Sequence, residues 1–247
     1  MSIPQQATER RAEPSLRTGK YQKFVTQIEA QCARDPGVRV ALRRGLRRDL
    51  DDVRGLHRIV APWLPAHPSE AEERAFYAIA AMIADRPRHT FTTTDSDSDT
   101  GAGATIPADA TETGDTPPAV PAIAEETAAV PARMRRDSLG ASYARAVLAQ
   151  AGRGLREETA EARLNLLTRQ SLSGLHRHLP GSIRHLRDAG ADIDYAVLLS
   201  DLATWPHNSK RTARRWLQDY YRLRRSHIEA QSKAHDDEED AALADGA

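Results

Sequence analysis

Apolar residues recur at three- and four-residue intervals through most of this chain, the spacing of a single buried helix face. Tyr21, Phe24, Val25 and Ile28 set the first stripe and predict a helix from near Leu16 to about Cys32, after a loose polar stretch over 1–15. Asp35, Pro36 and Gly37 then reset the chain, with Asp35 placed to cap and Pro36 to take the first helical position. The helix that follows carries Val38, Leu42 and Leu46 on one side and Arg39, Arg43 and Arg47 on another, with Arg44 and Arg48 beside them. A shorter helix over Val53 to Val60 stops at the prolines of "APWLP". Ser69 and Glu72 make a capping box for a further helix with Phe76, Ile79, Met82 and Ile83 buried, ended by Arg86-Pro87.

From His89 to Pro131 the periodicity vanishes into Thr, Asp, Ala, Gly and Pro, too little apolar surface to offset chain entropy, which predicts a disordered linker over 89–131. Helical spacing then returns. Leu139, Tyr143, Ala146 and Val147 mark a helix starting after Asp137 or Ser138. Leu164, Leu166 and Leu167 mark one over 157–170, and Leu172, Leu175, Leu179, Ile183 and Leu186 one over 171–187, kinked or broken at Pro180-Gly181. Another begins at Asp192, stacks Tyr195, Leu198, Leu199, Leu202 and Trp205, and stops at Pro206. The last helix starts at about Asn208 or Ser209 and buries Ala213, Trp216, Leu217, Tyr220 and Leu223. No alternating strand and no internal repeat occur. The expected fold is all-α: helical bundles over 16–88 and 132–228, joined by the acidic linker and followed by a disordered acidic tail over 229–247.

Charge changes this picture. The 247-residue chain is formally neutral, with 35 basic and 35 acidic residues. Eight of the acids lie in 91–131, which has no Lys or Arg, and seven lie in 229–247, which has only Lys233. The rest of the chain therefore holds 34 bases against 20 acids. Of the 35 bases, 31 are Arg, whose planar fork suits phosphate. The stretch "WPHNSKRTARRWLQDYYRLRR" at 205–225 shows the pattern locally: aromatics fill the core stripe, while Lys210, Arg211, Arg214 or Arg215, Arg222 and Arg225 face away with only Asp219 as an acid within the helix. Like charges crowded on one face repel, which favours a polyanionic partner.

Candidate chemistry narrows the function. Cys32 is the single cysteine, so no internal disulfide forms and a reducing, cytoplasmic setting is expected. The N-terminus lacks the apolar core of a secretory signal, and no apolar run is long enough to span a membrane. His176 and His178 lie two residues apart and point about 200° apart on a helix, so no metal site is expected there. Asp192 reads as a helix cap rather than half of a magnesium pair with Asp194, and Asp49, Asp51 and Asp52 as caps or arginine partners. Phosphate-loop, dinucleotide-binding and nucleophile-elbow motifs are absent. No catalysis, no metal and no cofactor are expected.

Four segments taken in order, "ALRRGLRRDLDDVRGLHRIVAPWL" (41–64), "ERAFYAIAAMIA" (73–84), "SLGASYARAV" (138–147) and "IDYAVLLSDLATWPHNSKRTARRWLQDYY" (193–221), resemble the CasB family, the small subunit of the type I-E CRISPR surveillance complex Cascade. The likeness covers about 20–88 and 133–225; the acidic insert and the tail are extra. It implies a non-catalytic, all-helical protein in antiviral defence, sitting as a pair within the complex against its backbone and large subunits. There it would hold guide RNA, target DNA and the displaced strand of the R-loop through phosphate contacts. Carried over by position, Arg43 and Arg44 match a basic pair of the first bundle, Lys210 and Arg211 a basic pair at the start of the last helix, and Arg184 lies near another basic position. Arg169, Arg177 and Arg214 join them on charge and helical phase. Two other classes fit parts of the pattern: a helix-turn-helix DNA-binding regulator reading sequence through 210–221, and a helical protein-interaction adaptor. Two readings of the acidic segments stay open: a solubilising, lineage-specific addition, or a mimic of nucleic acid that folds back on the arginine faces and lowers non-specific binding.

Overall fold

The computed structural model describes residues 5–48, 52–87, 137–149 and 154–245, and side chains within 19–237 of these. The linker expected over 89–131 lies outside the described residues, as do Asp49 and Asp51. The described residues form eight α-helices: α1 (Gln5–Arg34), α2 (Pro36–Arg43), α3 (His57–Val60), α4 (Glu70–Ala84), α5 (Leu139–Leu148), α6 (Glu157–Thr168), α7 (Leu172–Asp188) and α8 (Tyr195–Asp245). Short 3₁₀ turns at Arg54–Leu56 and Ala61–Trp63 flank α3. Among the described residues there is no strand, and no helix is long and apolar enough to cross a membrane.

Caps set most of the starts. The Asp35 carboxylate accepts from the backbone N–H groups of Gly37 and Val38 at 2.7 and 3.2 Å, and Pro36 follows it. Ser69 accepts from Glu72 N, while the Glu72 carboxylate accepts from Tyr21 OH at 2.9 Å, so the capping pair also ties α4 to α1. Ser138 caps α5. The cap of α8 corrects the expectation: it is Asp194, accepting from Ala196 and Val197 N, and not Asp192, whose carbonyl receives the Ser142 hydroxyl instead. α1 begins at Gln5 rather than near Leu16, because the polar residues before Tyr21 carry no apolar period from which a helix could be read. α2 ends at Arg43 and residues 44–47 form a turn, so Leu46 does not continue its stripe. α7 runs unbroken past Pro180, which is buried.

α8 holds the most informative departure. Its helical pattern passes through Pro206 without interruption, where a stop was expected. Yet Trp216 Nε1 donates to Asp201 Oδ2 at 2.8 Å, fifteen residues back. On a straight helix that separation is roughly 22 Å. The rings of Trp205 and Trp216 likewise lie 5.2 Å apart. The element must fold back sharply between these residues. Pro206 is the cause at hand, since it removes a backbone donor and crowds the preceding turn. Thr204 Oγ1 donates to Ser200 O at 2.8 Å in that turn. Beyond the bend α8 continues into the acidic tail, whose described side chains, Glu229 to Asp237, are all exposed and add nothing to the core.

The helices on either side of the linker share one continuous core, from Tyr21, Phe24 and Ile28 through Phe76 and Ile83 to Tyr143, Leu199, Trp205, Trp216 and Tyr220. Polar ties follow the same seam. The Asp85 carboxylate accepts from Arg187 and Arg184 of α7 at 3.1 and 2.9 Å, Arg187 also donates to Met82 O, and Arg86 pairs with Glu29 at 2.7 Å while lying 4.8 Å over the Tyr195 ring.

Candidate nucleic-acid interface

The motifs behind the family resemblance turn out to be docking devices. Gly140 lets α5 approach α8 backbone to backbone: a Cβ built there would lie 1.8 Å from Trp216 O. Ser138 Oγ donates to Asp219 Oδ2 at 2.6 Å beside it. Asp201 accepts from Trp216 and pairs with Arg215, which pins the two arms of the bent α8 together. Burial pushes the Asp201 carboxyl upward, against the pull of Arg215 and the bonds from both partners. These groups aim the surface; they are not the surface.

All eight candidate cations, Arg43, Arg44, Arg169, Arg177, Arg184, Lys210, Arg211 and Arg214, are exposed. Among the described residues only Arg184 is held by a carboxylate, that of Asp85. The other seven have no ion-pair partner among the described residues. Several cations outside the candidate set are tied up: Arg145 pairs with Asp137 at 2.5 Å, Arg224 with Glu157 and Glu161, and Arg225 with Glu229 at 2.7 Å. Other exposed arginines outside the set, among them Arg34, Arg58 and Arg222, likewise have no ion-pair partner among the described residues.

Seven of the eight candidates fall into two places, and Arg184 stands apart from both, on Asp85. Arg44 and Arg177 lie on adjoining concavities that share Gly45, Arg48 and Val53. The larger, of about 390 Å³, is enclosed by the turn after α2, by α4 and by α7, and Arg47, Arg48 and Arg74 line it together with Arg177. The smaller, of about 210 Å³, is bordered by Arg44 and Arg48. Arg43 is exposed at the end of α2, one residue before Arg44. At the second place, Lys210, Arg211 and Arg214 follow the bend of α8. Trp205 Nε1 donates to Gln170 O at 3.3 Å, which fixes the α6–α7 junction, and with it Arg169, against that bend.

Sequence reading did not assign Arg47, Arg48 or Arg74 to the interface. Arg47 has φ +62°, a left-handed backbone that L side chains adopt at a cost, and its guanidinium lies against Gly181 of α7. Arg74 stands among the acids of "EAEERAF" and reads there as ordinary helix surface. Only the tertiary fold brings it to Arg177. His176 and His178 divide as their spacing requires, one buried and one exposed. Among the described residues no group of three His, Cys, Asp or Glu could hold a metal ion. Cys32 is buried, and burial pushes its thiol up to about 11, which leaves it unreactive as a nucleophile.

Comparison with known proteins identifies the family. The family model described as CRISPR-associated protein Cse2 matches residues 38–221. Two solved structures resemble the chain at 31% identity and a TM-score of 0.65, each over 87% of this chain. One is titled "CRISPR RNA-guided surveillance complex, pre-nicking" and is covered over 98% of its length; the other, "CRISPR RNA-guided surveillance complex", over 99%. No curated protein matches. The model match spans α2 to the far arm of α8, including both basic places and every docking motif, and the chain belongs to the CRISPR-associated protein Cse2 family, the CasB family that its motifs resemble.

Proposed function

We propose that this protein is a non-catalytic subunit of a CRISPR RNA-guided surveillance complex of type I-E and grips nucleic acid by its phosphates, without regard to sequence. The observation that carries this reading is the gathering of seven exposed cations at two places on the surface, with no ion-pair partner among the described residues. Phosphate contacts position a strand but read no bases. Exchanging a DNA duplex for an RNA–DNA hybrid is close to balanced, so a few such contacts decide whether an opened target persists. A cationic surface that holds the displaced strand opposes re-annealing. Two copies placed side by side along the complex would double that surface, and the other subunits of the complex together with guide RNA and target DNA are its partners.

The test uses the assembled complex carrying Arg43→Glu/Arg44→Glu or Lys210→Glu/Arg211→Glu. Each pair is expected to shorten the lifetime of the opened target, read by permanganate reactivity of unpaired thymines, while guide RNA content is unchanged. The log–log dependence of affinity on salt should flatten by ~0.7–0.9 for every phosphate no longer neutralised. Target opening that is indifferent to both pairs refutes the assignment. Binding that varies strongly with target sequence, independent of the guide, would point instead to a sequence-reading regulator.

A further inference from the structure

We infer that the cavity between α4, α7 and the turn after α2 is a binding site for one nucleotide unit of a strand, phosphate against the arginines and nucleoside against the apolar wall. This rests on the nucleic-acid reading above and gives it a particular site. Four guanidinium-bearing residues from three separate segments converge there, Arg47 and Arg48 from the turn, Arg74 from α4 and Arg177 from α7, and none of the described lining residues is acidic. At about 390 Å³ the space is several times larger than a bare phosphate and falls within the range of small-ligand sites. Tyr77, Met82 and Leu179 supply an apolar side suited to a base or sugar, and the Tyr77 ring is steadied by a 2.5 Å bond between its hydroxyl and His57 Nδ1.

A second, independent feature points to a polar ligand. His176 lines the cavity with only 8% of its surface exposed, and its Nε2 is buried with no hydrogen-bond partner among the described residues. A buried polar atom left unpaired costs free energy unless something meets it. Burial, and then the charge of Arg74, push the imidazole down to about 4, so it is neutral near pH 7. A neutral ring adds no further positive charge to a wall that already carries Arg47, Arg48 and Arg177, which suits an anionic ligand. The left-handed backbone at Arg47 fits the same purpose, since strain of this kind collects where a side chain must be held against a ligand.

The experiment titrates the full chain with thymidine 5′-monophosphate and follows the side-chain nitrogen resonances of His176 by NMR, with thymidine and inorganic phosphate run separately. The expected result is a saturable displacement of the His176 resonances by the nucleotide, weaker with inorganic phosphate and absent with thymidine. Arg177→Gln, an exposed position, should weaken the nucleotide at least about tenfold, the loss of one charge-assisted bond, whereas Lys23→Gln, which removes the same charge elsewhere, should not. No displacement at millimolar nucleotide, a displacement untouched by Arg177→Gln, or equal binding of inorganic phosphate would each overturn the proposal. Such a failure, with the Lys210/Arg211 reversal still shortening target opening, would remove the nucleotide site and leave the wider reading standing.

Discussion

Replacing Gly140 by alanine tests how the second half of the molecule is held together. The new Cβ would lie 1.8, 2.5 and 2.8 Å from the O, C and Cα of Trp216, all backbone atoms that no rotamer change can move. Opening the first contact even to 3.0 Å, a separation below which real Cβ contacts essentially never fall, requires α5 and α8 to part by 1.2 Å. Overpacking of this kind costs ~1–3 kcal/mol, and misalignment of the Ser138–Asp219 hydrogen bond adds ~1 kcal/mol. Against this, alanine in a helix interior is better than glycine by ~1 kcal/mol. The clash wins by about 2 kcal/mol, which for a chain of this size lowers Tm by ~4–8 °C. Gly19 supplies the matched control: it lies in α1 with nothing within 4 Å of a built Cβ, so Gly19→Ala should keep the propensity gain and raise Tm by ~2–4 °C. Thermal unfolding followed by circular dichroism at the helical band decides between them. A Gly140→Ala protein that melts at or above the parent temperature would refute the close crossing of α5 and α8.

Two further outcomes follow from the basic cavity, beside the charge reversals and the nucleotide titration given above. Arg47→Gly relieves a left-handed backbone by up to about 1 kcal/mol while deleting a guanidinium, so Tm should hold or rise slightly as affinity for single-stranded DNA falls; a loss of both would mean that Arg47 is structural. For His176 the folded chain binds its proton more weakly than the unfolded chain, since its value near 4 lies below the ordinary 6.5. Stability from this group is therefore complete above about pH 6.5 and is lost as pH falls toward 4, by up to ~3 kcal/mol. The charged and titratable groups that line the cavity with it are Arg47, Arg48, Arg74, Arg177 and Tyr77. Urea unfolding at pH 7 and pH 4.5 should show a smaller acid loss in His176→Gln than in the parent, and equal losses would contradict the buried neutral ring.

Local chemistry was legible in the sequence because it is written within a few residues. Asp35-Pro36, Ser69 with Glu72, and Asp137 or Ser138 each announced a helix start; Asp35, Ser69 and Ser138 cap, while the Glu72 carboxylate, read as the other half of a capping box, is bonded to Tyr21. Pro206 marked a real discontinuity, although it takes the form of a sharp bend within α8 and not a stop, because the Asp201–Trp216 bond across it belongs to tertiary structure and leaves no local trace. Asp192 and Asp194 are equivalent by composition; only the path of the chain past α5, where Ser142 takes the Asp192 carbonyl, separates them. The candidate cations were found by net charge and family position, and their exposure follows from lying opposite the apolar stripes. Pairing is another matter. Arg184 and Arg177 share a helix, yet Asp85 sits under one and none of the described acids is paired with the other, which depends on how α4 meets α7 across a long gap in sequence.

The single core running through both sets of helices bears on where the entropy of assembly is lost. Cations mounted on separately moving lobes would have to be immobilised one lobe at a time, and each step would subtract from affinity. Here the segments that carry Arg44 and Arg177, drawn from either side of the linker, are held by one core. Under the function proposed above, a frame of this kind leaves the conforming to the nucleic acid, whose single strands bend easily.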